Sequence, residues 1–152
     1  MKLDERDSHL LRLLQQDNRI ATSALATQVG MSTSACWRRI RQYEEAGIIT
    51  GYGARVNPEQ LGLGFQAIVH VQLTRHDPAQ LVAFIRAVEA RDEILDCFAT
   101  TGQSDYHLRV LCSDIAAYNR FLESFLFRLP AVQSAQTNVV LRAIKSGTVC
   151  HV

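Results

Sequence analysis

Three arginines, Arg38, Arg39 and Arg41, crowd into the stretch TSALATQVGMSTSACWRRIR at residues 22–41, and no acid follows them until Glu44. A guanidinium is a permanently charged planar fork that matches phosphate oxygens and the guanine edge. Such groups act together only from a common face. Cys36, Ile40 and Tyr43 follow i, i+4, i+7 and predict an inward helical stripe. Ser34, Arg38 and Arg41 then lie on the opposite side, with Gln42 at its edge and Arg39 flanking. Ser32 or Thr33 is placed to cap this helix, since a side-chain oxygen there accepts from the first-turn N–H groups, and Gly47 ends it. Upstream, Leu25, Ala26 and Val29 line a shorter helix that Thr22 or Ser23 would cap. Gly30 stands between the two, where the chain must turn sharply.

Two short helices, a glycine turn and a basic second helix make a helix-turn-helix, so double-stranded DNA is the leading partner. The candidate contacts are Ser32, Thr33, Ser34, Arg38, Arg39, Arg41 and Gln42. A solvated basic face is the plainer reading of an isolated RRxR string, but the capped turn and the preceding helix argue against it. Trp37 is read as core, with a partly exposed ring beside the sugar-phosphate backbone as the alternative.

The 152 residues allow one domain or two small ones. A net charge of +1 conceals a mild asymmetry: residues 1–56 hold eight Lys/Arg against six acids, and the remainder eight against nine. Local placement of charge therefore matters more than its total. The N-terminus MKLDERDSHL is charged and polar, unlike a signal peptide or a membrane span. A cytoplasmic protein with no membrane partner is expected. Cys36, Cys97, Cys112 and Cys150 are scattered without CxxC or Cys/His ligand spacing, so neither a metal nor a cofactor is expected. In a reducing compartment they are free thiols. Cys97 and Cys112 on neighbouring strands would leave a redox role open; buried small apolar residues are the simpler reading.

Asp4 opens a first helix whose apolar side is Leu3, Leu10, Leu11, Leu13 and Leu14, and Asp7 suits its positive end. The three helices predict a DNA-binding domain over residues 1–47. Residues 47–64 hold five of the eight glycines and a proline, so 48–64 is read as a short extended segment and linker. The domain at 65–152 alternates strand and helix patterns. Phe65, Ala67, Val69, Val71 and Leu73 share one strand face. Leu81, Phe84, Ile85 and Val88 recur at helical spacing, 94–101 and 106–112 read as strands, and Asp114 caps a helix carrying Ile115, Tyr118, Leu122, Phe125 and Leu129 that Pro130 stops. Residues 132–142 read as the last strand. The order β-α-β-β-α-β predicts the α+β class, an antiparallel sheet with both helices on one face in the ferredoxin-like arrangement. The other face is expected to show Val69, Leu73, Ala99, Val139 and Leu141, apolar enough to require a second copy and so a homodimer.

Taken together, LDERDSHLLRLLQQDNR, LATQVGMSTSACWRRIRQYEEAGII, NPEQLGLG and TTGQSDYHLRV resemble the Lrp/AsnC family, the leucine-responsive and asparagine-operon or feast/famine regulators, over nearly the whole chain. The resemblance implies a transcription regulator that dimerises, builds octamers from dimers, and senses amino acids between facing effector domains. The family's GxxDY turn is Gly102-Gln103-Ser104-Asp105-Tyr106 here, departing at Gln103 and Ser104 and again at His107 from the commoner residues. The effector set this implies is Thr101, Gly102, Gln103, Ser104, Asp105 and Gln133. Gly102 lets N–H groups converge on a carboxylate, Asp105 offers a partner for an ammonium, and Thr101 adds a hydroxyl. Gln133 matches a family position whose amide faces the ligand. The alternative is a plain hairpin turn in which Asp105 bonds its own backbone. The ACW segment resembles a branch with members that respond to sulfur-containing or branched amino acids.

The leading function is a sequence-specific DNA-binding transcription regulator whose operator binding or assembly responds to a small amino-acid effector. A ligand-independent architectural DNA-binding protein of the same fold is the alternative. An enzyme is not expected: Ser104, Asp105 and His107 lie in one hairpin, and no second segment brings an activating base or an oxyanion hole, so there is no catalytic set.

Overall fold

In the computed structural model, which describes residues 2–74, 77–147, 150 and 152, Asp4 opens helix α1 (Glu5–Gln16). Its carboxylate accepts from the Asp7 N–H at 2.8 Å, and the Asp7 carboxylate accepts from the Asp4 N–H at 2.9 Å. The pair is a capping box with an acid at both ends, which suits the positive helix terminus. Helices α2 (Thr22–Gln28) and α3 (Thr33–Glu45) follow at the expected places. Ser32 caps α3, its hydroxyl accepting from the Ala35 N–H at 3.2 Å. The cap expected on α2 is not there: Ala21 holds that position, and its carbonyl receives the Ala24 and Leu25 N–H groups. Thr22 already lies inside the helix, so its hydroxyl does not reach back to the first-turn donors. Gly30 turns the chain at φ 65°, and the Met31 N–H closes the turn on the Ala26 carbonyl at 2.9 Å. Leu10, Leu25, Cys36 and Tyr43 form the core of these three helices.

Two compact units emerge, residues 1–55 with 145–152, and residues 56–144. The 65–152 bounds drawn from sequence differ at the C-terminus. Gln15 bonds the Cys150 backbone through both amide atoms, at 2.7 and 3.2 Å, and Arg12 donates to the Val152 carbonyl at 3.2 Å. These long-range bonds group the final residues with the helical unit. The stretch read as a linker is divided between the units, and Glu59–Leu61 form one turn of 3-10 helix over the Asn57 side chain.

The second unit contains β1 (Phe65–Leu73), α4 (Pro78–Glu89), β2 (Ile94–Ala99), β3 (Tyr106–Cys112), α5 (Ile115–Ser124) and β4 (Val132–Val139). The strands form one antiparallel sheet in the order β2-β3-β1-β4. Ala67, Val69, Val71, Leu108 and Val110 face Phe84 and Val88 of α4 and Tyr118 and Phe121 of α5 in one core. Ile115, expected in the buried stripe of α5, is instead 67% exposed at the helix start, and Phe121 takes the inward place.

The expected apolar second face is corrected by the register. Side chains alternate with period two, so Val69 and Leu73 point with Ala67 toward the helices and are buried there. Val139 opposite Ala67, and Ala99 opposite Tyr106, share that side, while Leu141 lies past the end of β4. The uncovered face is mixed: Gln66, His70, Gln72, His107, Arg109 and Gln136 share it with Ile68, Phe98 and Leu111. On it the His70 and His107 rings meet at Nδ1–Nδ1 2.6 Å, and Asn138 Nδ2 lies 2.8 Å from His70 Nε2. Arg109 pairs with Asp96 across β3 and β2. Cys97 faces Leu108 while Cys112 lies at the far end of β3, opposite Phe65, so the two thiols are free and separate. Cys112 is buried and Cys97 exposed, so the buried-apolar reading fits only the former.

Adjacent residues on the two faces should differ sharply. Leu108→Ala removes a wholly buried side chain and should lower the unfolding free energy by about 2–5 kcal/mol. His107→Ala, on the open face, should cost about 1 kcal/mol or less by denaturant titration.

Candidate nucleic-acid interface and effector cavity

Burial of one charge sets the face that α3 presents. Asp7 has no exposed surface, yet it is a carboxylate. Tyr43 of α3 donates its phenolic proton to Asp7 Oδ1 at 2.6 Å, and Arg39 Nε lies 3.2 Å from the same oxygen. Burial, and then the hydrogen bond to Asp7, raise the Tyr43 pKa far above that of an ordinary phenol, so the donor proton is retained. Arg39 also lies 3.6 Å from Asp4, whose pKa is lowered chiefly by the Asp7 N–H and also by Arg39. The flanking arginine of the sequence pattern is thus turned inward, toward α1.

The rest of the outer face is open. Ser34, Arg38, Arg41 and Gln42 are exposed, and Ser32 and Thr33 stand at its N-terminal end. Arg38 has no ion-pair partner among the described residues. Arg41 lies 3.9 Å from Glu44, which accepts from the Tyr52 hydroxyl at 2.9 Å. Trp37 is not core: it is 58% exposed, and the Arg41 guanidinium sits over its ring at 5.5 Å. The inward direction of α3 passes between Cys36 and Ile40, which leaves Trp37 on a flank. Six of the seven expected DNA contacts therefore share one accessible surface, and Arg39 is engaged elsewhere.

In the second unit the Gly102 turn joins β2 to β3, with Gly102 at φ 124°. Asp105 fastens this turn to β1: its Oδ2 accepts from the Leu73 N–H at 2.8 Å and its own N–H donates to the Val71 carbonyl at 2.9 Å. Gln72 holds the other side by donating to the Gln103 carbonyl at 2.7 Å. Beside the turn lies a cavity of about 720 Å³, walled by Leu73, Pro78, Leu81, Ala99 and Tyr106, with Thr74, Asp77, Thr100 and Asp105 as its polar lining. Of the six expected effector residues only Asp105 lines it. Thr101, Gly102, Gln103 and Ser104 form the adjacent turn, and Gln133 stands exposed at the register shift of β4 between the partners of Leu73 and Gln72. The walls from α4 and β1 carry no chemical signature in the sequence; the Asp77-Pro78 helix start was the one legible sign of that edge. Among the described residues no group of three or more His, Cys, Asp or Glu converges as a metal site, and no helix is long and apolar enough to cross a membrane.

A helix-turn-helix with an exposed basic recognition face, followed in the chain by a sheet unit with a ligand-sized cavity, defines a DNA-binding regulator with a ligand-binding domain. Comparison with known proteins agrees. Residues 3–50 match the winged helix-turn-helix DNA-binding model, and residues 66–150 match the Lrp/AsnC ligand binding domain. The leucine-responsive regulatory protein of Escherichia coli K12 is 36% identical over 145 residues, 95% of this chain and 88% of that protein. A Neisseria meningitidis transcriptional regulator solved as an L-Met complex superposes with a TM-score of 0.93 at 37% identity, covering 97% of this chain and 95% of the other. An AsnC family transcriptional regulator of Agrobacterium tumefaciens gives a TM-score of 0.92 at 31% identity, covering 97% and 96%. The chain belongs to the Lrp/AsnC family of DNA-binding transcription regulators.

The inward arginine should behave differently from its neighbours. Arg39→Ala leaves the buried Asp7 short of a partner and should destabilise the helical unit by about 1–3 kcal/mol. Denaturant unfolding followed through Trp37, the sole tryptophan, reads this unit directly. Arg38→Ala, at an exposed and unpaired site, should leave the same transition unmoved.

Proposed function

We propose that this regulator binds a small amino acid with an apolar side chain in the cavity beside the Gly102 turn, and that occupancy sets its affinity for operator DNA. The observation that carries this reading is the Asp105 carboxylate at an otherwise mostly apolar wall. One carboxylate oxygen holds Leu73; the other has no protein partner among the described residues and suits an ammonium group. Leu73, Pro78, Leu81 and Tyr106 suit an aliphatic or thioether side chain. Leucine in the name of the Escherichia coli relative and L-Met in the Neisseria complex belong to those proteins, and both amino acids have apolar side chains.

Thr101, Gly102, Gln103 and Ser104, in the turn beside the cavity, are the donors proposed for the effector carboxylate, and Gln133, outside the lining, is the sixth member of the proposed set. Ser32, Thr33, Ser34, Arg38, Arg41 and Gln42 contact DNA, with the change of role falling within residues 48–64. Arg39 is left out of this set because Asp7 engages it. The chain acts in the cytoplasm as a homodimer that assembles to an octamer. Ligand then acts by binding one assembly state better than another, a coupling typically of about 1–3 kcal/mol, or roughly 5- to 150-fold in affinity.

Two sets of variants test the reading. Arg38→Ala and Arg41→Ala should each weaken operator binding, and Arg38→Ala should also lower the salt dependence by about one phosphate contact. Unchanged affinity in both would place the DNA surface elsewhere. Asp105→Asn keeps an acceptor for the Leu73 N–H and removes the charge. It should abolish the response to leucine or methionine in operator titrations while effector-free binding stays as in wild type. A variant that responds like wild type would make Asp105 a turn residue only. A wild type indifferent to every amino acid would favour the ligand-independent architectural role.

A further inference from the structure

We propose that Trp37 is a sequence-reading residue, whose exposed indole packs on a thymine 5-methyl group in the major groove beside the base read by Arg41. The inference rests on the assignment of α3 as the DNA-contacting helix. Three observations lead to it. First, the chain's one tryptophan is 58% exposed rather than packed in the adjoining core of Leu10, Leu25, Cys36 and Tyr43. An indole left in water on a basic face forgoes a large apolar contribution that a partner can restore. Second, Trp37 lies in the first half of α3, the part of a recognition helix that reaches base edges. It is one turn before Arg41 and on the flank opposite to Arg39. A flank residue lies near the wall of the groove, and thymine is the base that offers an apolar group there.

Third, Arg41 is held against the ring. Its guanidinium lies over Trp37 at 5.5 Å, and Glu44 approaches it from the next turn at 3.9 Å. A stacked guanidinium loses less rotamer freedom when it forms its paired hydrogen bonds. The ring and the fork thus make one stacked unit with an apolar end and a donor end. Such a unit fits a step in which thymine and guanine are neighbours. Arg38, one residue away with no ion-pair partner, suits phosphate instead.

The experiment crosses protein and DNA changes. An operator is first obtained by selection from random duplexes with the full-length wild-type protein. Each thymine in the half-site is then replaced singly by uracil, which deletes the methyl and keeps every hydrogen-bonding group. Wild type should lose roughly fourfold in affinity at one position, the worth of one buried methyl. Trp37→Ala should bind the thymine and uracil duplexes alike, while Trp37→Phe retains part of the discrimination. Since the side chain is largely exposed, the thermal midpoint of Trp37→Ala should match wild type. Discrimination that survives Trp37→Ala, or a wild type blind to every uracil, overturns the proposal. If Arg38→Ala weakens binding while Trp37→Ala keeps full discrimination, the DNA surface stands and the tryptophan's role fails. If Arg38→Ala, Arg41→Ala and Trp37→Ala all bind as wild type, the surface itself is wrong.

Discussion

The helical unit depends on how it neutralises one buried carboxylate. Asp7 sits in the first turn of α1 without solvent contact, and an unpaired charge there would cost several kcal/mol. Three groups prevent that: the Asp4 N–H, the Tyr43 phenol and the Arg39 guanidinium. Two of them come from α3. The same bonds that satisfy the charge therefore fix the rotation of α3 against α1. With Tyr43 and Arg39 committed inward, Ser34, Arg38 and Arg41 have one direction left. The recognition face is the complement of the partners that a buried aspartate draws inward.

The sheet unit obeys a simpler constraint. A strand buries every second side chain, so a five-residue apolar set on β1 claims one face and leaves Gln66, His70 and Gln72 on the other. The helices cover the apolar side. What stays open carries a hydrogen-bonded His70–His107 pair and an Arg109–Asp96 ion pair, with Ile68, Phe98 and Leu111 among the polar groups.

Asp105 serves two roles at once. It ties the Gly102 turn to β1 and lines the cavity beside it. A ligand that engages the free oxygen of this carboxylate acts on a residue already bonded to the central strand β1. Trp37 and Arg41 form a comparable unit in the other half of the chain, where an apolar ring orders a charged fork.

Helical and strand periodicity, glycine placement and every expected helix cap but that of α2 were legible in the sequence, because each depends on residues within a few positions of one another. They sufficed for the helix-turn-helix, the β-α-β-β-α-β order and the basic face of α3. Asp4, Ser32 and Asp114 all cap where local chemistry places them. Tertiary structure decided the rest. Arg39 and Arg38 are neighbours of identical type, and only the distant Asp7 separates a structural from an exposed role. Trp37 looks like core by composition, but the core positions were already filled by Cys36, Ile40 and Tyr43. Cavity walls from β1, α4, β2 and β3 lie up to 33 residues apart, from Leu73 to Tyr106, and meet only once the strands pair. Short-range patterns specify elements; which side chains share a space is set by contacts that no local window contains.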